Sequence, residues 1–216
     1  MAKSPATKIE EFFASYPEST YRKTRILLRP GEELTHVFYL ADGTVRQYDI
    51  NPKGEKVVIN VFKPGAFFPM SYAVNHTPNE YFFETATEAH IRQAPVAEVL
   101  TFLQTHVDVL YDLLARVFSG TDGLLRRLAH SMGGSAQTRL SFELLNACRR
   151  FGTHRGKRSY FVPLSETELA ARTGLTRETV SRCMRQLKQS GIAELARGGY
   201  VIHDLARLET ELGDGL

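Results

Sequence analysis

Short apolar runs recur from Arg25 to Ala94, and turn signals break them every few residues: Arg29-Pro30-Gly31, Ala41-Asp42-Gly43, Asn51-Pro52-Lys53-Gly54, Lys63-Pro64-Gly65 and Thr77-Pro78-Asn79. This pattern predicts antiparallel β-structure. The runs 36–40, 44–50 and 56–62 are rich in β-branched and aromatic residues, and Asp42-Gly43 is a strong turn between the first two. About eight strands of this kind fit a jelly-roll barrel.

Beyond Pro95 the period lengthens. Leu110, Leu114, Val117, Thr121, Leu124 and Leu128 advance by 4, 3, 4, 3 and 4, the a/d spacing of a coiled-coil seam, inside a helix expected over about residues 96–131. Such a stripe either packs on its own barrel or pairs with the same helix of a second subunit. Its length, with Arg116, Asp122, Arg126 and Arg127 lying off it, favours pairing and hence a two-fold dimer. Met132-Gly133-Gly134-Ser135 interrupts the pattern as a hinge, so the expected domains are 1–131 and 135–216. After the hinge, 137–150 reads as a helix with Leu140, Leu144, Leu145 and Cys148 on one face, and 151–162 as a hairpin around 153–158.

The next segment carries the strongest local signals. Ser165-Glu166-Thr167-Glu168 is a capping box opening a short helix that Thr173-Gly174-Leu175 stops. Thr176 then caps a second helix running to about Gln189, ended by Ser190-Gly191. Short helix, glycine turn and longer helix make a helix-turn-helix. Val180, Cys183, Met184 and Leu187 fall on one face of the longer helix, leaving Arg177, Glu178, Ser181, Arg182, Arg185 and Lys188 outward. An arginine can fork onto guanine O6 and N7, and a glutamate can accept from cytosine N4. Glu178 argues for base reading, since a helix serving phosphates alone gains nothing from a carboxylate. The segment 192–203 adds a hairpin with Arg197-Gly198-Gly199 at its tip, a wing that brings Arg197 toward phosphate.

Charge agrees with this division. Residues 138–216 hold 13 basic and 9 acidic side chains, against 14 and 15 in residues 1–137, for a net +3 overall. At 216 residues, 43% hydrophobic and 24% charged, the chain has the composition of a folded globular protein of one large domain or two small ones. No run reaches the roughly 18 apolar residues of a membrane span, and the start MAKSPATKIEEFF lacks the apolar core of a secretory signal, so a cytoplasmic protein without a membrane partner is expected. Two cysteines, Cys148 and Cys183, exclude a disulfide scaffold, a four-cysteine zinc site and an iron–sulfur cluster held by four thiolates.

Thr138-Arg139-Leu140, the run 164–170 and above all Gly174-Leu-Thr-Arg-Glu-Thr-Val-Ser-Arg182 resemble the C-terminal domain of the Crp/Fnr family of bacterial transcription regulators. The runs 38–46 and 62–67 resemble the two glycine-centred signatures of that family's effector barrel. The resemblance implies an α+β chain with an N-terminal cyclic-nucleotide-binding-like jelly-roll barrel, a long dimerisation helix and a C-terminal winged helix-turn-helix. It implies a homodimer on a double-stranded DNA operator with inverted-repeat symmetry, and RNA polymerase as a further partner if the protein activates. By position, Glu178, Ser181 and Arg182 match the base-reading residues of the Fnr-like branch, and Arg177 matches an additional contact in the cyclic-AMP receptor branch. The implied operator resembles TTGAT-N4-ATCAA. Thr176, Arg185, Lys188 and Arg197 complete the expected DNA-binding set.

The effector stretch departs from the family pattern. No arginine lies from Ala66 to Ile91, where cyclic-nucleotide-binding members carry a phosphate clamp, and Glu80 or its neighbours occupy the nearest position. A carboxylate in a partly buried pocket would repel an anion, so cyclic nucleotide is disfavoured. Phe67, Phe68, Met70, Tyr72, Glu80 and Tyr81 mark a possible pocket for an apolar ligand or haem, or else simply a barrel core filled by its own side chains, the reading small barrels favour. His36, His76 or His90 could ligate haem iron with Met70 as second axial ligand, but no haem-binding spacing accompanies them. No resident cofactor or metal is expected. Two further functions compete: an effector-binding barrel module with nonspecific nucleic-acid or protein contact, and a cupin-like enzyme, which the scattered histidines disfavour.

Overall fold

The computed structural model describes residues 3–156, 158–210 and 212, and the chain divides into two compact units, 1–119 and 120–216. In the first unit, α1 (Pro5–Ala14) is capped by the Ser4 hydroxyl, which accepts from the Thr7 amide at 3.2 Å. Strands β1 (Glu18–Tyr21), β2 (Ile26–Leu28), β3 (His36–Asp42), β4 (Val45–Ile50), β5 (Lys56–Phe62) and β6 (Phe67–Phe68) follow. A short α2 (Met70–Asn75) precedes β7 (Phe82–Thr85) and β8 (Ala89–Pro95), and α3 (Val96–Thr105) leads into α4 (Val107–Gly133). The strands form two antiparallel four-stranded sheets, in the orders β1-β8-β3-β6 and β2-β7-β4-β5, the eight-stranded jelly roll that the turn spacing predicts.

Strand β3 of the first sheet is buried on both faces. Phe38 and Leu40 of β3 point between the sheets with Val45, Phe83 and Ile91, whereas Val37 and Tyr39 point to a helix-side core with Ile9, Phe13, Val99 and Phe102. Four consecutive residues of β3 are therefore buried. The turn after β3 needs glycine: Gly43 has φ +87°, and a Cβ there would stand 2.2 Å from the Glu88 carbonyl oxygen.

The single helix expected over 96–131 is two. His106 leaves helical geometry at φ −124° and ψ 76°, and the Thr105 hydroxyl donates back to the carbonyls of Thr101 and Phe102 at 3.0 and 3.1 Å, occupying acceptors at the end of α3. The units divide at Ser119/Gly120, inside α4 and beside Gly120 and Gly123, while the expected hinge Met132–Ser135 lies in the second unit. There α4 ends at Gly133, and the Ser135 hydroxyl caps the following helix by accepting from the Thr138 amide at 3.1 Å.

The second unit continues with α5 (Ala136–Phe151), β9 (Thr153–His154), β10 (Tyr160–Val162), α6 (Glu166–Thr173), α7 (Arg177–Gln189), β11 (Ala193–Ala196), β12 (Gly199–Ile202) and α8 (Leu205–Thr210). The strands form one antiparallel sheet, β11-β12-β10-β9. Leu140, Leu144 and Leu145 of α5 pack with Leu169 of α6 and with Val180 and Leu187 of α7. Lys157, in the turn expected between β9 and β10, lies outside the described residues. Burial pushes the Cys148 thiol up to about 12, which fits a packing residue rather than a reactive one. Among the described residues no helix is long and apolar enough to cross a membrane.

Candidate nucleic-acid interface

The helix-turn-helix forms where its local signals place it. The Ser165 hydroxyl accepts from the Glu168 amide at 3.2 Å, and the Glu168 carboxylate accepts from the Ser165 amide at 2.9 Å, completing the capping box of α6. Gly174 ends α6 in the left-handed region at φ +64°. The Thr176 hydroxyl accepts from the Thr179 amide at 3.2 Å and fixes the start of α7. Thr176, expected at the DNA surface, is thus also the cap that aims the helix.

Val180, Cys183, Met184 and Leu187 are all buried, so α7 is anchored by one face. Arg177, Glu178, Arg182, Arg185 and Lys188 are exposed and Ser181 is half-buried. Residues 178, 181, 182, 185 and 188 recur at helical spacing along one edge of the free face. The Glu178 carboxyl is held below the usual range, first by its own backbone amide, then by the Thr176 hydroxyl and the Arg177 charge, so it is anionic at neutral pH. Arg177 is exposed but not solitary: its Nε lies 3.5 Å from a Glu166 carboxylate oxygen of α6. At the wing, β11 and β12 pair from Ala193↔Ile202 to Ala196↔Gly199, leaving exposed Arg197 and Gly198 (φ +82°) as the turn. The unit therefore presents an anchored helix with a donor-rich edge, one carboxylate within it, and a cationic wing tip.

The long helix departs from its expected seam. Leu110 is half-buried, whereas Leu114, Val117, Thr121, Leu124 and Leu128 are exposed as a pairing seam requires. A second row runs beside them through Val107, Tyr111, Leu114, Phe118, Thr121, Leu125, Leu128 and Met132. Its members include the most exposed apolar side chains of the helix, Tyr111 at 69%, Phe118 at 66% and Met132 at 81%. The apolar surface of α4 is accordingly wider than one a/d line, because both rows share Leu114, Thr121 and Leu128.

The expected effector pocket is not one cavity. Phe67 and Phe68 are neighbours in a strand and so face opposite ways: Phe67 enters the helix-side core with Met70, and Phe68 lies between the sheets. Phe68 is stacked on Phe62 at 4.5 Å, Phe83 at 5.5 Å and Phe38 at 5.8 Å between ring centroids, filling the space between the sheets. Tyr72 is buried, Tyr81 is half-buried against the barrel core, and Glu80 is exposed. Glu80 is therefore not the buried carboxylate expected near the clamp position; it sits in the turn that leads to β7.

The haem candidates do not converge. His36 and His76 are exposed, and Met70 is in the helix-side core. His36 pairs with Pro95 and His90 with Asp42, at opposite ends of the β3–β8 ladder and about 20 Å apart at strand rise. His90 also lies 3.2 Å from the Glu18 carboxylate. Among the described residues, no three of His, Cys, Asp or Glu gather as a metal site.

The sequence model of the Crp-like helix-turn-helix domain matches residues 138–211, and that of the cyclic nucleotide-binding domain matches residues 18–106. The chain belongs to the Crp/Fnr family. It is 29% identical over 199 residues to the transcriptional regulator LdrP of Thermus thermophilus, covering 90% of this chain and 96% of that one. It is 24% identical to the global nitrogen regulator of Synechocystis sp., covering 89% and 87%. In fold it is similar to FixK2 from Bradyrhizobium japonicum, with a TM-score of 0.78 at 22% identity over 93% and 99% of the two chains. This Crp/Fnr protein is thus a DNA-binding transcription regulator, and its family is one of regulators rather than enzymes.

Two charged networks in this Crp/Fnr chain escape sequence reasoning. In the helix-turn-helix unit, Glu143 of α5 is buried and accepts from Arg127 of α4 at 3.1 Å and from Arg172 of α6 at 3.4 Å. In the barrel, buried Glu84 of β7 accepts from Arg46 of β4, from Lys56 of β5 at 2.7 Å and from the Tyr48 hydroxyl at 3.1 Å. Burial alone would raise the Glu84 carboxyl, but the Lys56 and Arg46 hydrogen bonds and charges outweigh it and hold it below the usual range. Glu84 alternates with Phe83, so this network lies on the face of β7 turned away from the phenylalanine stack. The only signal in the sequence is a lone acidic residue in an apolar strand.

Proposed function

We propose that this regulator acts as a homodimer whose two α7 helices enter successive major grooves of an inverted repeat resembling TTGAT-N4-ATCAA. Glu178, Ser181 and Arg182 read base edges and Arg177 adds a contact, while Thr176, Arg185, Lys188 and Arg197 meet the backbone. The observation that carries this reading is the division of α7, with its apolar face anchored in the core and its polar edge left exposed. Pairing through α4 is supported by the uncovered apolar rows centred on Leu114, Thr121 and Leu128; Leu110, Val117 and Leu124 flank them. A half-site spacing of one duplex turn, about 34 Å, follows from two-fold symmetry.

The barrel matches a cyclic nucleotide-binding model, yet the ring stack and the lack of arginine from 66 to 91 argue against a cyclic nucleotide held by a phosphate clamp. In this reading the barrel holds neither haem nor an iron–sulfur cluster. The protein works in the cytoplasm, and RNA polymerase is its further partner where it activates. The test is selection of bound sequences from random DNA, followed by Arg182→Ala. Each lost base contact is worth about 1–3 kcal/mol and the dimer loses one in each half-site, so the variant should lose roughly 30- to 25,000-fold in operator affinity while remaining a dimer. Unchanged operator affinity would refute the base-reading assignment.

A further inference from the structure

Glu166 is the first residue of α6, yet its carboxylate is directed at the recognition surface. It lies 3.5 Å from Arg177 Nε, and it is near enough to the Tyr200 hydroxyl of β12 to add to the burial that raises that group's pKa. Tyr200 is buried in the winged-helix core and borders the carboxylate on the wing side. The first turn of a helix favours a negative charge, which fixes it from the α6 side. Together with Ser181, Arg185 and Lys188, Glu166 lines a groove of about 220 Å³ between α7 and the wing strands. Glu194 of β11 also lines this groove, but Glu166 is the carboxylate set against Arg177 from α6.

Its partner Arg177 is 71% exposed at the side chain and, apart from the charge of the neighbouring Glu178, would be available to a phosphate without Glu166. Paired with Glu166, it offers a passing backbone phosphate much less, because the carboxylate repels the phosphate and competes for the guanidinium. A guanine edge offers two acceptors and no formal charge, so it can draw the guanidinium away without bringing an anion against Glu166. We propose that Glu166 is a specificity-determining positioning residue that acts through Arg177, holding it from sequence-independent phosphate contact and yielding it to a base edge. Discrimination is gained by weakening the wrong complex. This inference rests on the reading of α7 as the base-reading helix.

The experiment measures binding of the full-length protein to the TTGAT-N4-ATCAA duplex and to a scrambled duplex of equal length, by fluorescence anisotropy across a salt series. Glu166→Gln should bind the scrambled duplex roughly 3- to 10-fold tighter and the operator with a smaller gain, so that their ratio falls. Its log–log salt slope on scrambled DNA should steepen by about 1.8, one added phosphate contact from each subunit of the dimer. Glu166→Gln with Arg177→Gln should lose that gain and that slope, since the effect runs through Arg177. A structural role for Glu166 would instead weaken both complexes and leave the slope unchanged. If wild type discriminates and Glu166→Gln leaves the ratio or the slope as it was, the Glu166 assignment is overturned and base reading stands. Failure of wild type to discriminate would overturn base reading and this inference with it.

Discussion

Replacing Glu143 by glutamine tests the interior of the helix-turn-helix unit. The wild-type carboxylate is 2% exposed at the side chain and takes one arginine on each oxygen, at 3.1 and 3.4 Å, with Arg127 25% and Arg172 13% exposed. At those separations and an effective dielectric of about 20, each pair has a direct attraction of about 5 kcal/mol before desolvation is counted. Desolvation offsets most of that in the wild type, but glutamine removes the attraction and leaves two guanidiniums out of water. Breaking such a group from one side costs about 3–5 kcal/mol, and the partial exposure of Arg127 places Glu143→Gln near the lower end. For a unit of this size about 3 kcal/mol corresponds to a Tm lower by roughly 12–24 °C. The assay is scanning calorimetry of the full chain, with amide hydrogen exchange assigning the affected transition to α5 and α6. Adding Arg172→Met to Glu143→Gln should recover stability relative to additivity by at least about 1 kcal/mol, because methionine keeps the apolar packing and removes the stranded charge. A loss under about 0.5 kcal/mol, or strict additivity, would refute the account of Glu143 as the junction of α4, α5 and α6.

Two other expectations follow from the same chain. The Glu84 carboxyl is held below its ordinary 4.5, so its contribution to barrel stability is fully present above that pH and is lost as pH falls through the folded-state value. Urea midpoints should therefore show Glu84→Gln less stable than wild type at pH 7, with the gap closing below pH 4.5; a gap independent of pH would contradict the assignment. Leu125→Glu, on the exposed row of α4, should shift sedimentation velocity from dimer to monomer and abolish high-affinity operator binding; a dimer that survives would move the pairing surface elsewhere.

The reach of the sequence depended on how far apart the cooperating residues lie. The helix-turn-helix was readable because its signals are local: the capping box 165–168, the left-handed Gly174 and the i, i+3, i+4, i+7 core face of α7 all act within a few residues. The eight-stranded barrel was readable from its turns for the same reason. Glu84 is joined by residues 38 and 28 positions away, and Glu143 by residues 16 and 29 away, so no periodic pattern announces either network. Of the two readings left open for the aromatic stretch, pocket or filled core, Phe67 and Phe68 bear on both through one adjacency, since neighbours in a strand face opposite sides. On α4, a one-dimensional seam could be counted from spacing, but the second row became visible only once Tyr111, Phe118 and Met132 proved uncovered.

The two-faced burial of β3 has its own result for how this barrel finds its pairing. A strand with one wet face rejects a one-residue slip, because the slip would turn its apolar set to water. With Val37, Phe38, Tyr39 and Leu40 all enclosed, a slipped β3 would still present oil to oil on both sides. Alignment must then come from the strand's end, where Gly43 admits the Glu88 carbonyl and the ladder with β8 carries an irregularity between Leu40 and Asp42. A side chain at position 43 should accordingly yield misaligned, aggregating chains in addition to a weaker native state.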